Sequence, residues 1–154
     1  MNKMKYEGKN NKTISETQIE EYEKRLYDYG QLIEISKSLC SVLEFSTLIE
    51  SILYTCMCQM RVLGAGMFVL KSFDADCFSL ENNYSGFDPD SEIEYNIPIS
   101  HPMISYLCET NQAYTIDELE SNLDKNSVLK QISSLNPSLV VPLKLKNHLN
   151  GVLL

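Results

Sequence analysis

A chain of 154 residues with 44% hydrophobic and 22% charged side chains can bury one core of ordinary size, which leaves room for one globular domain and an extension but not for a second domain. Its formal net charge of −8 is unevenly spread: residues 1–30 hold six basic and six acidic side chains, residues 31–154 hold seven against fifteen, and seven acids without a base lie between Asp74 and Glu94. Such a surface repels phosphate backbones and anionic lipid heads, so nucleic acid and membrane are excluded from the expected partners.

The first fourteen residues are polar, rich in Lys and Asn, and expected to be a disordered tail without a signal-peptide core. From about Ser15 the residues Ile19, Tyr22, Leu26, Tyr29 and Ile33 recur at alternating spacings of three and four, a narrow seam among charged side chains. A helix so thin in apolar residues needs a partner, and the expected one is a second copy in a parallel coiled coil, over residues 15–31. Tyr22, Tyr29 and Gly30 make that zipper weak. At Leu32 the stripe broadens through Ile35, Leu39, Val42 and Leu43, which places the start of the globular domain at residue 32.

Ser46 is the expected N-cap of a second helix that buries Leu48, Ile52 and Met57 and stops at Gly64 and Gly66. "AGMFVLKSF" and "CFSLENNYS" read as a hairpin around an acidic turn, and "IEYNIPIS" as a third strand after the loop "GFDPDSE". Ser100 is the expected cap of a helix with Pro102 in its first turn. A short strand "AYTI", an acidic link "DELESNLDKN", a helix over "SVLKQISSL", and two strands around the turn "NHLN" complete the chain. The order predicts an α+β fold in α/β/α layers: a central antiparallel sheet of about five to six strands with helices on both faces, preceded by a long N-terminal helix.

"LVVPLKLKNHLNGVLL" resembles the closing hairpin of a GAF domain, "IPISHPMISYLCETNQAYTIDEL" resembles that family's middle segment, and "GAGMFVLKSFDADCFSL" its first hairpin. The similarity runs over residues 32–154 in the right order, and it implies the layered fold shared with PAS and profilin-like domains. GAF domains continue the Gly-Val-Leu strand into a further helix, so the resemblance implies a domain cut before its final helix. It also implies a sensory module of a multi-domain signalling protein, cytoplasmic, with a covalently linked output domain. Its small-molecule pocket between sheet and helices would be drawn from Phe68 and Leu70 on the first strand and Leu80, Asn82 and Tyr84 on and beyond the second. Ile97 and Ile99 on the third, Met103, Ile104 and Leu107 on the next helix, Leu129 and Ile132 on the last helix, and Leu139 and Val141 before the closing hairpin complete it. These positions are nearly all apolar, so a filled core in a ligand-free dimerisation module is the competing reading.

No cofactor is named by the motifs. The family's cyclic-nucleotide pattern is absent, and neither His101 nor His148 adjoins a cysteine as bilin attachment requires. His101 before Pro102 and His148 in a turn suit capping or exposed roles better than haem ligation. The five cysteines lack a framework spacing and read as free thiols, and Cys56 and Cys58 fall on nearly opposite helix faces, so no metal site is expected. Free methionine sulfoxide reductases share the fold and use pocket cysteines; Cys108 and Cys77 are the pair that this enzyme reading would need. "DPDSE" lacks the glycine and distant Glu of a calcium loop and reads as a solvated acidic loop.

Overall fold

The structure, a computed structural model, describes residues 16–72, 74–123 and 127–154. The tail expected over residues 1–14 and the helix start at Ser15 lie outside the described residues. The chain divides into two compact units between Ser41 and Val42.

The described residues of the first unit form one helix, α1 (Glu16–Cys40). It runs unbroken through Gly30, whose missing Cβ faces open space, and through the point at Leu32 where the apolar stripe widens. Exposed charges sustain it, including an ion pair between Lys37 Nζ and Glu34 Oε1 at 2.8 Å, one helical turn apart. Lys37 also sits in the last turn, where a cation complements the helix dipole.

The second unit begins with α2 (Phe45–Met60). Its N-cap is Glu44, not the expected Ser46: the Glu44 carboxylate accepts from Ser46 Oγ at 3.1 Å and Thr47 Oγ1 at 3.0 Å, placing negative charge at the helix start. The buried stripe centres on Ile49 and Leu53, one position beyond the expected Leu48, Ile52 and Met57, which are half-buried at its sides. Arg61 closes the helix in the left-handed region at φ 54°, ahead of the glycines expected to stop it.

Among the described residues five strands follow: β1 (Met67–Val69), β2 (Cys77–Leu80), β3 (Asn96–Pro98), β4 (Val141–Leu145) and β5 (His148–Leu153). They form one antiparallel sheet in the order β3-β2-β1-β5-β4. The expected strand "AYTI" is reduced to one bridge in which Tyr114 and Val140 exchange backbone bonds of 3.0 and 2.7 Å. The β4–β5 turn is Lys146–Asn147, with Lys146 at φ 55°, so His148 opens β5 rather than sitting in the turn. Gly151 lies opposite Val69, and a Cβ there would meet the Phe68 carbonyl oxygen at 2.9 Å, which explains a glycine inside a strand.

Strand alternation sorts the core into two layers. Met67, Val69 and Leu153 pack with Ile49 and Leu53 of α2. Phe68, Phe78, Ile97 and Val152 point the other way, into a larger cluster with three further helices, α3 (Pro102–Thr110), α4 (Ile116–Asn122) and α5 (Ser127–Ser134). Helices therefore cover both faces, and the fold is α+β. α4 replaces the first part of the expected acidic link. Thr115 and Glu118 form a reciprocal capping box, with Thr115 N–H donating to Glu118 Oε2 at 2.8 Å and Glu118 N–H to Thr115 Oγ1 at 3.3 Å. α3 is capped by His101 instead of Ser100: the His101 Nδ1 accepts from the Met103 N–H at 3.2 Å, and Pro102 takes the first helical position.

Candidate functional site

Thirteen of the fourteen candidate pocket residues separate into three places, and Ile99 stands apart from all three. Phe68, Ile97, Met103, Ile104, Leu107, Leu129 and Ile132 are buried together in the larger core cluster, with Leu70 packed against it. Met103, Leu107, Leu129 and Ile97 have no exposed surface at all. Apolar contact, not a polar group, is what this layer offers a neighbour. Ile99 lies outside it, 42% exposed.

Leu139 and Val141 line a groove of about 660 Å³ with the segment after α2, the Gly86–Asp88 loop and the end of β5. Its walls are mostly apolar, from Met60, Val62, Leu63, Phe87, Leu135 and Pro137. A tight backbone crossing forms part of it: Ala65 and Ser85 pair as an isolated bridge, and a Cβ on Gly86 would lie 2.4 Å from the Leu63 oxygen.

Leu80, Asn82 and Tyr84 line a different crevice, of about 420 Å³. It is polar. The register brings Ser79 and Asn96 face to face across β2 and β3, Lys71 stands two residues beyond Val69, and Pro89, Asp90, Ser91, Ile93 and Glu94 close it from the loop before β3. The loop is held in shape: the Asp90 N–H donates to Tyr95 Oη at 3.2 Å, Tyr95 Oη lies 3.3 Å from Ser134 Oγ, and Asp90 Oδ1 accepts from the Glu92 N–H at 2.9 Å. Ser79, Lys71, Asp90, Glu94 and Asn96 were absent from the sequence-derived set. Lys71, the base just ahead of the long acidic stretch, is the signal that would have found them.

Cys108 and Cys77, the pair an enzyme reading needs, have separate neighbours. The Cys108 Sγ–H donates to the Asn147 carbonyl at 3.3 Å, and Lys144 Nζ donates to the Cys108 carbonyl at 2.6 Å, whereas Cys77 Sγ lies 4.0 Å from Ser79 Oγ. All five cysteines are free thiols. Burial pushes the Cys56 thiol above its ordinary pKa. Among the described residues no group of three His, Cys, Asp or Glu side chains is placed to hold a metal ion, and no helix is long and apolar enough to cross a membrane. The seam residues Ile19, Tyr22, Leu26, Tyr29 and Ile33 are all exposed along α1.

No protein-family model matches the chain, and no solved structure matches it. Among curated proteins it is 44% identical over 145 residues to diguanylate cyclase A of Treponema denticola, a match that takes in 94% of this chain and 39% of that protein. The chain spans well under half the length of the curated relative it matches, and its similarity is to one segment of a cyclase.

Proposed function

We propose that the chain is a GAF-type regulatory domain of a multi-domain signalling protein, which dimerises through α1 and controls a diguanylate cyclase output. One observation carries the reading: nearly the whole chain matches a cyclase of which it makes up only 39%, so most of that enzyme has no counterpart here. The layered fold agrees with the family that the sequence resembles. The exposed seam on α1, with Leu26 at its centre 70% exposed, supports a helix pair as the relay. A ligand that favours one packing of the domain would change the register of that pair, and Tyr22, Tyr29 and Gly30 keep the pair weak enough to shift.

The test is a graft. The 154-residue chain is assayed alone with GTP and magnesium, and then in place of the matching segment of the Treponema denticola enzyme, with and without Leu26→Asp. The expected outcome is no cyclase activity from the chain alone, activity in the graft, and a change of about fivefold or more with Leu26→Asp. Activity from the chain alone, or a graft indifferent to Leu26→Asp, refutes the reading.

A ligand-free dimerisation module is the second reading, favoured by the complete burial of Met103, Leu107 and Leu129 where a pocket was expected. The two differ in whether any small molecule raises the melting temperature, as a ligand of the folded state must.

A further inference from the structure

The polar crevice at the β2–β3 end of the sheet borders the core through Leu80 and Tyr95, and its chemistry is specific enough to name a ligand class. We propose that it binds a free α-amino acid as the zwitterion, with Lys71 taking the carboxylate and the Asp90 and Glu94 carboxylates taking the ammonium group. This rests on the regulatory reading only for its consequence; the site itself stands on the following geometry.

The volume of about 420 Å³ lies within the range of small-molecule sites, roughly 300–1,000 Å³. The crevice carries both signs of charge, one cation against two carboxylates. Lys71, Asn82 and Tyr84 line the crevice, and the Lys71 ammonium, the Asn82 amide and the Tyr84 hydroxyl have no partner among the described residues. Asp90 is preorganised: its Oδ1 accepts from the Glu92 N–H and its own N–H is tied to Tyr95, which leaves Oδ2 free in a fixed orientation. Glu94 Oε2 accepts from Asn96 Nδ2 at 3.4 Å, and Oε1 remains free. A phosphate-bearing ligand would meet two carboxylates and a single lysine, and a bare polyamine would meet Lys71. A molecule with adjacent opposite charges satisfies both ends through charge-assisted hydrogen bonds. Ser79 and Asn96, paired across the strands, add neutral donors and acceptors between them.

Isothermal titration of the 154-residue chain with each of the twenty protein L-amino acids, and with putrescine as the purely cationic probe, tests the site. At least one amino acid should bind with Kd below about 1 mM. Lys71→Met and Asp90→Asn should each weaken it about tenfold or more at unchanged melting temperature, because both side chains are exposed. The methyl ester and the N-acetyl form of the same amino acid should each lose as much. Absence of heat across the panel from natively folded protein overturns the proposal. So does binding indifferent to both substitutions, or putrescine binding tighter than any amino acid. Adding the bound amino acid to the grafted cyclase reads the regulation separately: binding without a change in activity leaves the site standing and removes its regulatory role. A graft responsive to Leu26→Asp with no amino-acid binding removes the site alone.

Discussion

Truncating Leu107 to Ala distinguishes a filled core from an open pocket at the positions where sequence similarity expects a ligand. Leu107 is 0% exposed on α3, in one cluster with Met103, Leu129, Ile132 and Val152. If those neighbours fill the space, the lost contacts of the Cγ methine and two methyl groups and the void left behind should together cost about 2–5 kcal/mol. For a domain of this size each kcal/mol lowers the melting temperature by about 3–6 °C, so a loss of about 3 kcal/mol appears as a fall of about 9–18 °C. Ile99→Ala is the internal comparison: Ile99 belongs to the same expected pocket but is 42% exposed, and its loss should cost less than about 1 kcal/mol. Urea unfolding followed by near-ultraviolet circular dichroism reads the globular unit, since Tyr22, Tyr27 and Tyr29 of α1 are exposed and add little asymmetry there. A loss below about 1 kcal/mol for Leu107→Ala would refute the packing argument and return that layer to the status of a pocket.

Two glycines should respond in opposite directions to alanine. Gly86→Ala combines a φ of +71° with a Cβ 2.4 Å from the Leu63 oxygen, and urea unfolding should show a loss of roughly 2–4 kcal/mol. Gly30→Ala, with open space around the new methyl group, should stabilise α1 by about 0.5–1 kcal/mol, read as a higher midpoint in the helical signal at 222 nm. Thr115→Ala removes the capping box of α4 and should cost about 1 kcal/mol by the same unfolding assay, whereas Thr115→Ser should retain most of it. Burial holds the Cys56 thiol protonated, so iodoacetamide at pH 8 should label exposed Cys40 and Cys58 ahead of Cys56, and equal rates would contradict the shift. With the folded pKa above the unfolded one, the stability that this thiol contributes is present below the unfolded value and lost as pH rises through the folded one. Cys56→Ala should flatten that part of the alkaline stability curve.

The layered α+β arrangement was legible because it follows from alternation and stripe width, both local. Met67, Phe68 and Val69 read as one strand, and their division between two core layers follows from the pleat once the strand is placed. Helix starts were read less well. Serine is the common cap, which pointed to Ser46 and Ser100, whereas His101 caps α3 by accepting from the Met103 N–H and Glu44 sits at the N-cap of α2 without a side-chain bond to the helix backbone. The pattern Thr115-x-x-Glu118 is a capping-box signature visible in the sequence, yet the surrounding acids drew it into a linker. Apolar periodicity marks which side chains are buried and is silent on whether space remains among them. That is why Leu107 and Leu129 fitted a pocket and a core equally well on paper.

The crevice was illegible for a different reason, and the same reason bears on how it would work. Lys71, Ser79 and Asn96 belong to three chain segments, and only the register of β1 on β2 and β2 on β3 brings them together. In β2 and β3 the residues Phe78 and Ile97 point into the core, while the neighbouring Ser79 and Asn96 line the crevice. Apart from Leu80, which borders both, the two strands serve packing with one parity and the polar site with the other, so Ser79 and Asn96 can change without opening the core. Ser79→Ala and Asn96→Ala, at half-buried positions, should each cost less than about 1 kcal/mol, while Phe78→Ala one residue away should cost about 3–5 kcal/mol. Comparable losses on both parities would mean that the polar side chains brace the sheet, and that the crevice is a by-product of its edge rather than a site.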